Sequence, residues 1–270
     1  MKLATFLPPE SEIARAGEVR GPEVVSFPAG TTVRDLLATG ADATADDEAF
    51  ALEEVTLLAP IPDPGTVYAI GLNYAAHAAE TGGEPPEQPI VFVKVPNSVA
   101  PPGGPVHCPA VVHRLDYEGE LTAVIGAGGA VAGYAVADDV SARDLQAREP
   151  QWTRAKGADT FCPWGPWVTT ADEVGDPGAL RLRTWVNEEL RQDASTSDLI
   201  FGIDQLVAFL SETHTLSPGD LILTGTPDGV GVAMDPPQFL QTGDVVRIEI
   251  EGLGSIEHAV AAAAPRVADR

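Results

Sequence analysis

The stretch Leu115-Asp116-Tyr117-Glu118-Gly119-Glu120-Leu121-Thr122-Ala123-Val124-Ile125, followed by Gly126-Ala127-Gly128-Gly129 and then Ala130–Ala137, decides the fold class. Glu118–Ile125 and Ala130–Ala137 are strand-like runs separated by a glycine-rich turn, so the spacing predicts an antiparallel β-hairpin. Successive side chains alternate along a strand, which puts Glu118 and Glu120 on one face and Tyr117, Gly119 and Leu121 on the other. Two carboxylates held side by side raise each other's pKa and cost stability unless a cation neutralises them. The returning strand ends in Asp138-Asp139 and carries a second acidic pair to the neighbouring strand end. Alternation leaves that face open to solvent or to a polar pocket. Carboxylates without a nearby His or Cys pattern suit a hard ion such as Mg²⁺, Mn²⁺ or Ca²⁺ rather than zinc.

Outward from the hairpin, Val67–Leu72 reads as a buried strand and Tyr74–Thr81 as one or two helical turns, with a proline-rich loop over Glu84–Gln88. Beyond it, Ser141–Glu149 has helix-forming composition and Lys156–Gly165 reads as a loop. Leu180–Val186, Asp220–Leu223 and Val245–Ile250 read as strands, and Asp204–Glu212 as an amphipathic helix. Before the linker, short strands are expected near Leu3–Leu7 and Val24–Phe27, a capped helix start at Thr31–Leu37, and an acidic, alanine-rich surface helix over Ala41–Glu54. Pro60-Ile61-Pro62-Asp63-Pro64-Gly65 is a run of breakers. It divides the chain into a small N-terminal lobe, 1–62, and a larger domain, 63–270.

The 270 residues suffice for one ample core plus a small lobe. A hydrophobic content of 44% excludes compositional disorder, while 27 Gly and 24 Pro favour turn-rich β structure over a helical bundle. Sixteen Lys and Arg against 40 Asp and Glu leave a net charge of −24, which repels nucleic acid and anionic membrane surfaces alike. Only Lys2, Lys94 and Lys156 are lysines, so each invites a question about its local role. Two cysteines, Cys108 and Cys162, make no disulfide framework, and no signal peptide or apolar run of membrane-spanning length is present; a cytoplasmic location is expected.

In a helical Tyr74–Thr81, His77 and Glu80 are i,i+3 neighbours, close enough for the carboxylate to orient the imidazole as a general base needs; a surface histidine has the same spacing. Lys156–Phe161 and Gly225-Thr226-Pro227-Asp228-Gly229-Val230-Gly231 read as polar loops or plain β-turns. Neither is a phosphate-binding loop, His107, Cys108 and His113 lack zinc spacing, and no GxSxG elbow occurs.

Read together, IGLNYAAHAAE (70–80), LDYEGEL (115–121), GYAVADDVSARDLQ (133–146), KGADTFCPWGPW (156–167), LTGTPDGVG (223–231) and GDVVRIEIEGLG (243–254) resemble the fumarylacetoacetate hydrolase family from about Pro64 to Val260. The resemblance implies a mixed α/β, predominantly β fold with a β-roll core and a small N-terminal lobe, as a homodimer. It implies that Glu118, Glu120 and Asp139 hold Mg²⁺ or Mn²⁺, with Ca²⁺ as a substitute in a crystal. His77 and Glu80 match the family's water-activating pair, Lys156 its active-site lysine, and Gln146, Gly225 and Thr226 positions that approach substrate. Asp138 departs from the family pattern, which commonly has Asn there. The implied activity is metal-dependent C–C hydrolysis of an acylpyruvate-like β-diketo acid. The alternatives are decarboxylation of an oxaloacetate-type 2-oxo acid, isomerisation of a 2-hydroxydiene-dioate in aromatic catabolism, or metal binding without turnover. The expected partner is a small-molecule 2-oxo acid.

Overall fold

The computed structural model describes residues 1–39, 44–45 and 48–263. The hairpin forms as Gly119–Ile125 against Val131–Asp138, with Gly119 opposite Asp138 and Glu120 opposite Ala137. It lies inside a 12-stranded sheet. On one side follow Cys162–Thr170, Lys2–Leu7, Arg15–Arg20, Glu23–Ser26 and Ala49–Ala51; on the other follow Leu221–Leu223, Val67–Gly71 and Ile90–Lys94. Pairing is antiparallel along this path except between Leu221–Leu223 and Val67–Gly71. A second, five-stranded sheet runs Glu189–Ser195, Arg181–Val186, Val245–Ile250, Gly254–Ala262 and Val106–Cys108. Helices are short, and none among the described residues is long and apolar enough to cross a membrane. The protein is mixed α/β and predominantly β.

Every residue of Gly119–Ile125 is buried because both faces of the hairpin are covered. Leu121, Ala123 and Ile125 join a core with Leu182, Ile248 and Ile256 of the five-stranded sheet. Val124, Ala135 and Ala137 face Leu3, Leu36 and Trp164 in a second core. The two-residue period of the strand thus feeds two cores at once. Gly119 is required where the sheets meet, since a Cβ there would lie 2.3 Å from Thr184 Oγ1. The N-terminal strand Lys2–Leu7 pairs with Cys162–Thr170, so residues on either side of the proline-rich linker share one sheet.

Three expectations are corrected. Lys156 ends a helical turn, Thr153–Lys156, and Cys162–Thr170 is a strand in mid-sheet, where a loop over Lys156–Gly165 was expected. Its Pro163, Gly165 and Pro166 read as breakers, but the register with Val131–Asp138 shifts beside them, between Tyr134 and Val136, and such an irregularity admits proline in a strand. Ser141–Glu149 contributes a single helical turn, Arg143–Gln146, after a two-residue strand, Ser141–Ala142. The expected helix over Ala41–Glu54 lies partly outside the described residues, and within them Ala49–Ala51 is an edge strand, paired to Glu23–Ser26.

Candidate active site

Glu118 immediately precedes the strand Gly119–Ile125, and Asp139 immediately follows the strand Val131–Asp138; the Asp139 amide donates to the Glu118 carbonyl at 2.9 Å. The hairpin register therefore brings the two acids together. With Glu120 they form a buried triad in which one carboxylate oxygen from each lies within 4.8 Å of the others. The face that alternation left undecided is buried, with Glu118 at the edge of a cavity.

The surrounding cations come from distant parts of the chain. Lys156 Nζ lies 2.6 Å from Glu118 Oε2 and 2.8 Å from Asp139 Oδ2. The Lys94 ammonium, fully buried, donates to Asp139 Oδ1 and to the Lys156 carbonyl. Arg143 reaches Asp116 Oδ2 through Nε at 2.8 Å and Glu118 Oε1 through its second terminal nitrogen at 2.7 Å. Asp116 in turn accepts from the Gly231 amide at 2.8 Å and the Val232 amide at 3.0 Å. Asp138 accepts from the Glu118 amide at 2.8 Å and lies 2.8 Å from His258 Nε2, which ties the five-stranded sheet to the triad. Neither Asp138 nor His258 reaches solvent.

His77 and Glu80 share the short helix Ala75–Glu80, with His77 Nδ1 2.7 Å from Glu80 Oε1. Glu80 Oε2 accepts from the Gly229 amide at 2.9 Å. The helix start is pinned by buried Asn73, which donates to the carbonyls of Phe201 (3.0 Å) and Thr224 (2.7 Å) and accepts from the Phe201 amide at 2.8 Å. Glu118, Lys156, His77, Gln146 and Thr226 line one cavity of about 320 Å³. The other expected residues back it: Glu80 behind His77, and Glu120 and Asp139 beside Glu118. Gly225 contributes its amide to Glu120 Oε2 at 2.7 Å. The Thr226 hydroxyl donates to the Gly119 carbonyl at 3.0 Å and accepts from Gln192 Nε2 at 2.8 Å, so it positions the strand as much as it faces the cavity.

Sequence reading missed Lys94, Arg143, Asp116 and His258. Lys94 had a signal, being one of three lysines in a strongly acidic chain. Arg143 lies three residues before Gln146, and its guanidinium donates to Gln146 Oε1 at 3.0 Å. His258 lies 120 residues from its partner, beyond any local pattern.

The charges show what the donor set can hold. Asp116, Glu118, Glu120, Asp138 and Asp139 are buried with Lys94, Arg143 and Lys156, five carboxylates against three cations. With neutral histidines the fully ionised site carries two excess negative charges, which one divalent cation balances. Burial would raise the Glu118 carboxyl, but Lys156 and Arg143 outweigh it and hold it at about 2. Glu120 goes the other way: burial first, then the charges of Asp139 and Glu118, push it well above the ordinary glutamate range. Among the described residues, its carboxylate is the member of the triad without a lysine or arginine ion-pair partner. An all-oxygen set with one under-neutralised carboxylate fits a hard divalent ion.

Cation binding must then expel a proton from Glu120 wherever that carboxyl is still protonated. At about pH 5, just above the ordinary glutamate value, Mg²⁺ binding is expected to release a proton, and the release should fade as pH rises. Calorimetry in buffers of different ionisation enthalpy reads this directly. Heats independent of buffer at that pH would mean that Glu120 is already ionised.

The family profile described as fumarylacetoacetate (FAA) hydrolase C-terminal matches residues 66–261. The chain belongs to the fumarylacetoacetate hydrolase family. Among the family's members, it is 43% identical to oxaloacetate tautomerase YisK of Bacillus subtilis (strain 168) over 225 residues, covering 78% of this chain and 75% of that one. It superposes on the crystal structure of 2-hydroxyhepta-2,4-diene-1,7-dioate isomerase from Mycobacterium marinum with a TM-score of 0.81 at 34% identity, covering 98% of this chain and 100% of that one. Maleylpyruvate hydrolase from Sphingobium sp. SYK-6, solved with manganese(II) and pyruvate, matches with a TM-score of 0.78 at 31% identity, covering 98% and 100%. Family membership and the buried acidic triad agree with the sequence reading, while two of these three relatives carry names of isomerising rather than hydrolysing enzymes.

Proposed function

We propose that this protein interconverts the enol and keto forms of a 2-oxo acid, with a divalent cation, Mg²⁺ or Mn²⁺, held by Glu118, Glu120 and Asp139. The observation that carries the reading is His77: its Nδ1 is committed to Glu80, while the ring shares one cavity with Glu118 and Lys156. When bound, the cation would supply Lewis acidity toward the carboxylate and keto oxygens of the 2-oxo acid. Lys156, kept protonated because Asp139 and Glu118 outweigh the burial that would discharge it, places positive charge beside the enolate oxygen. His77, oriented through Nδ1, has Nε2 for moving the proton to or from the carbon next to the keto group. Glu80 is itself fixed by the Gly229 amide, which holds the imidazole at one angle. Beyond these steps isomerisation needs only the loss or gain of the enol O–H proton, which exchanges with water. The tautomerase and isomerase names of its relatives support the same reading.

C–C hydrolysis of an acylpyruvate-like acid is the second reading. It is favoured by the same His77–Glu80 pair, which has the geometry to activate water. One assay separates the two. Enol phenylpyruvate and enol oxaloacetate, each followed by loss of its ultraviolet absorbance with Mg²⁺ or Mn²⁺, are expected to convert faster with the protein, the oxaloacetate without release of pyruvate. His77→Gln should slow that conversion by about 10²-fold or more. Cleavage of an acylpyruvate without any acceleration of enol conversion would make hydrolysis the activity.

A further inference from the structure

The cavity has two unlike walls. Glu118, Arg143 and Lys156 form a deeply buried floor, whereas Leu72, Phe92 and Trp152, each half-buried, stand nearer the mouth. Phe92 and Trp152 pack edge to face, with ring centroids 5.3 Å apart and planes at 72°, an arrangement aromatic pairs favour. The edge of the Trp152 indole packs against the end of the strand Val67–Gly71, where residue 71 has no side chain; a Cβ there would come within 2.9 Å of the indole Cζ3. Glycine at 71 therefore makes room for the indole.

Leu72 follows with φ at +53°, in the left-handed region that leucine avoids. It is trapped between that strand and Asn73, whose three hydrogen bonds fix the next residue. Glycine or asparagine would adopt this conformation with less strain. Such strain persists where the surroundings over-determine it, and it gathers at ligand clamps. Here it sets an apolar side chain against the cavity.

The positive charges of the lining are already committed. Arg143 and Lys156 each face two carboxylates, and the Lys156 ammonium also lies 5.2 Å from the centroid of the Phe92 ring. A 2-oxo acid whose head group sits against them would send its far end toward Leu72 and Trp152, where a second carboxylate meets no uncommitted lysine or arginine among the described lining residues. The volume, about 320 Å³, reaches the range of pockets that hold drug-sized ligands and exceeds the needs of a four-carbon acid.

We propose that Leu72, Phe92 and Trp152 form a specificity pocket that selects 2-oxo acids ending in an uncharged apolar or aromatic group over those ending in a second carboxylate. This rests on the 2-oxo acid reading of the floor. The test uses a matched pair, 2-oxo-4-phenylbutanoate and 2-oxoglutarate, which share the head group and differ by phenyl against carboxylate at the far end. Calorimetric titration of the full chain with Mg²⁺ present should show the phenyl compound binding more tightly, on the order of 10- to 100-fold for burial of one ring. Trp152→Ala should reduce that preference to about threefold or less, because the indole supplies much of the apolar surface that the phenyl ring would cover. Leu72→Gly, which relieves the backbone and so keeps the variant folded, should reduce it in the same direction. Equal or tighter binding of 2-oxoglutarate by the wild type, or a preference untouched in both variants, would overturn the proposal, as would the failure of the phenyl compound to bind. Normal phenyl preference without enol conversion of any 2-oxo acid would leave the pocket standing and remove the isomerase reading alone.

Discussion

Asp139→Ala is expected to abolish divalent-cation binding and to destabilise the fold at the same time. Each oxygen of this carboxylate has a buried ammonium: Lys94 on Oδ1 and Lys156 on Oδ2, the latter at 2.8 Å. Both lysines are almost wholly shielded from water. Removing the acid leaves Lys94 with backbone carbonyls, those of Lys156 and Val140, as its remaining acceptors. Removing one partner of a buried ion pair costs about 3–5 kcal/mol, because the other charge stays desolvated. Cation affinity should fall by more than the roughly 10–100-fold seen when only an outer supporting residue is lost. The two effects separate in thermal melts with and without Mg²⁺. Wild type should gain stability from the ion, whereas Asp139→Ala should start lower and not respond to it. Asp139→Asn retains an acceptor for the lysines, so it should melt closer to wild type while still failing to respond to Mg²⁺. Wild-type Mn²⁺ affinity in either variant would remove Asp139 from the cation site.

The residues that act within a strand or a helical turn were legible because their geometry is local. Glu118 and Glu120 share a face by the two-residue period, and His77 and Glu80 by the three-residue step of a helix. Asp139 was legible through the hairpin, whose glycine turn sets the register that puts Gly119 opposite Asp138. Lys94, Arg143 and His258 act across 45, 27 and 120 residues. Nothing in a local window links such partners; the sheet order does. Cys162–Thr170 failed for a different reason. Its proline and glycine signals are real, yet a register shift against Val131–Asp138 absorbs the irregularity, and pairing on both sides keeps the segment in the sheet.

The electrostatics of the site also recast the net charge of −24. That field opposes the approach of an anionic 2-oxo acid, and the buried lysines and arginine do not offset it at a distance, since each is already matched to a carboxylate. On the proposed function, attraction would become local and depend on the cation. The floor of the cavity would then select a carboxylate head group only with the cation in place, whereas Leu72, Phe92 and Trp152 are apolar in either state.

Lys156→Met keeps most of the aliphatic stem and deletes the ammonium. If Lys156 supports the enolate oxygen, enol conversion should fall about 10²–10³-fold, the usual effect of losing one donor to a developing oxyanion. The same substitution has a second signature in the cation-free protein. Glu118, held at about 2 against the burial that would raise it, draws its largest charge stabilisation from Lys156. A carboxyl depressed in the folded state contributes stability that is present above its unfolded pKa and lost as pH falls through the folded value. From the ordinary 4.5 down to about 2, that net contribution is about 3 kcal/mol, in which Lys156 and then Arg143 outweigh the burial. Lys156→Met should therefore be less stable than wild type above about pH 4.5, and the gap should narrow as pH falls toward 2. Lys156→Arg, which restores charge in a different shape, should recover the stability profile more fully than the rate. Denaturant melts across this pH range, set beside the enol assay, distinguish the two roles. A variant with a rate within about threefold of wild type would show that the ammonium serves the fold and not the enolate.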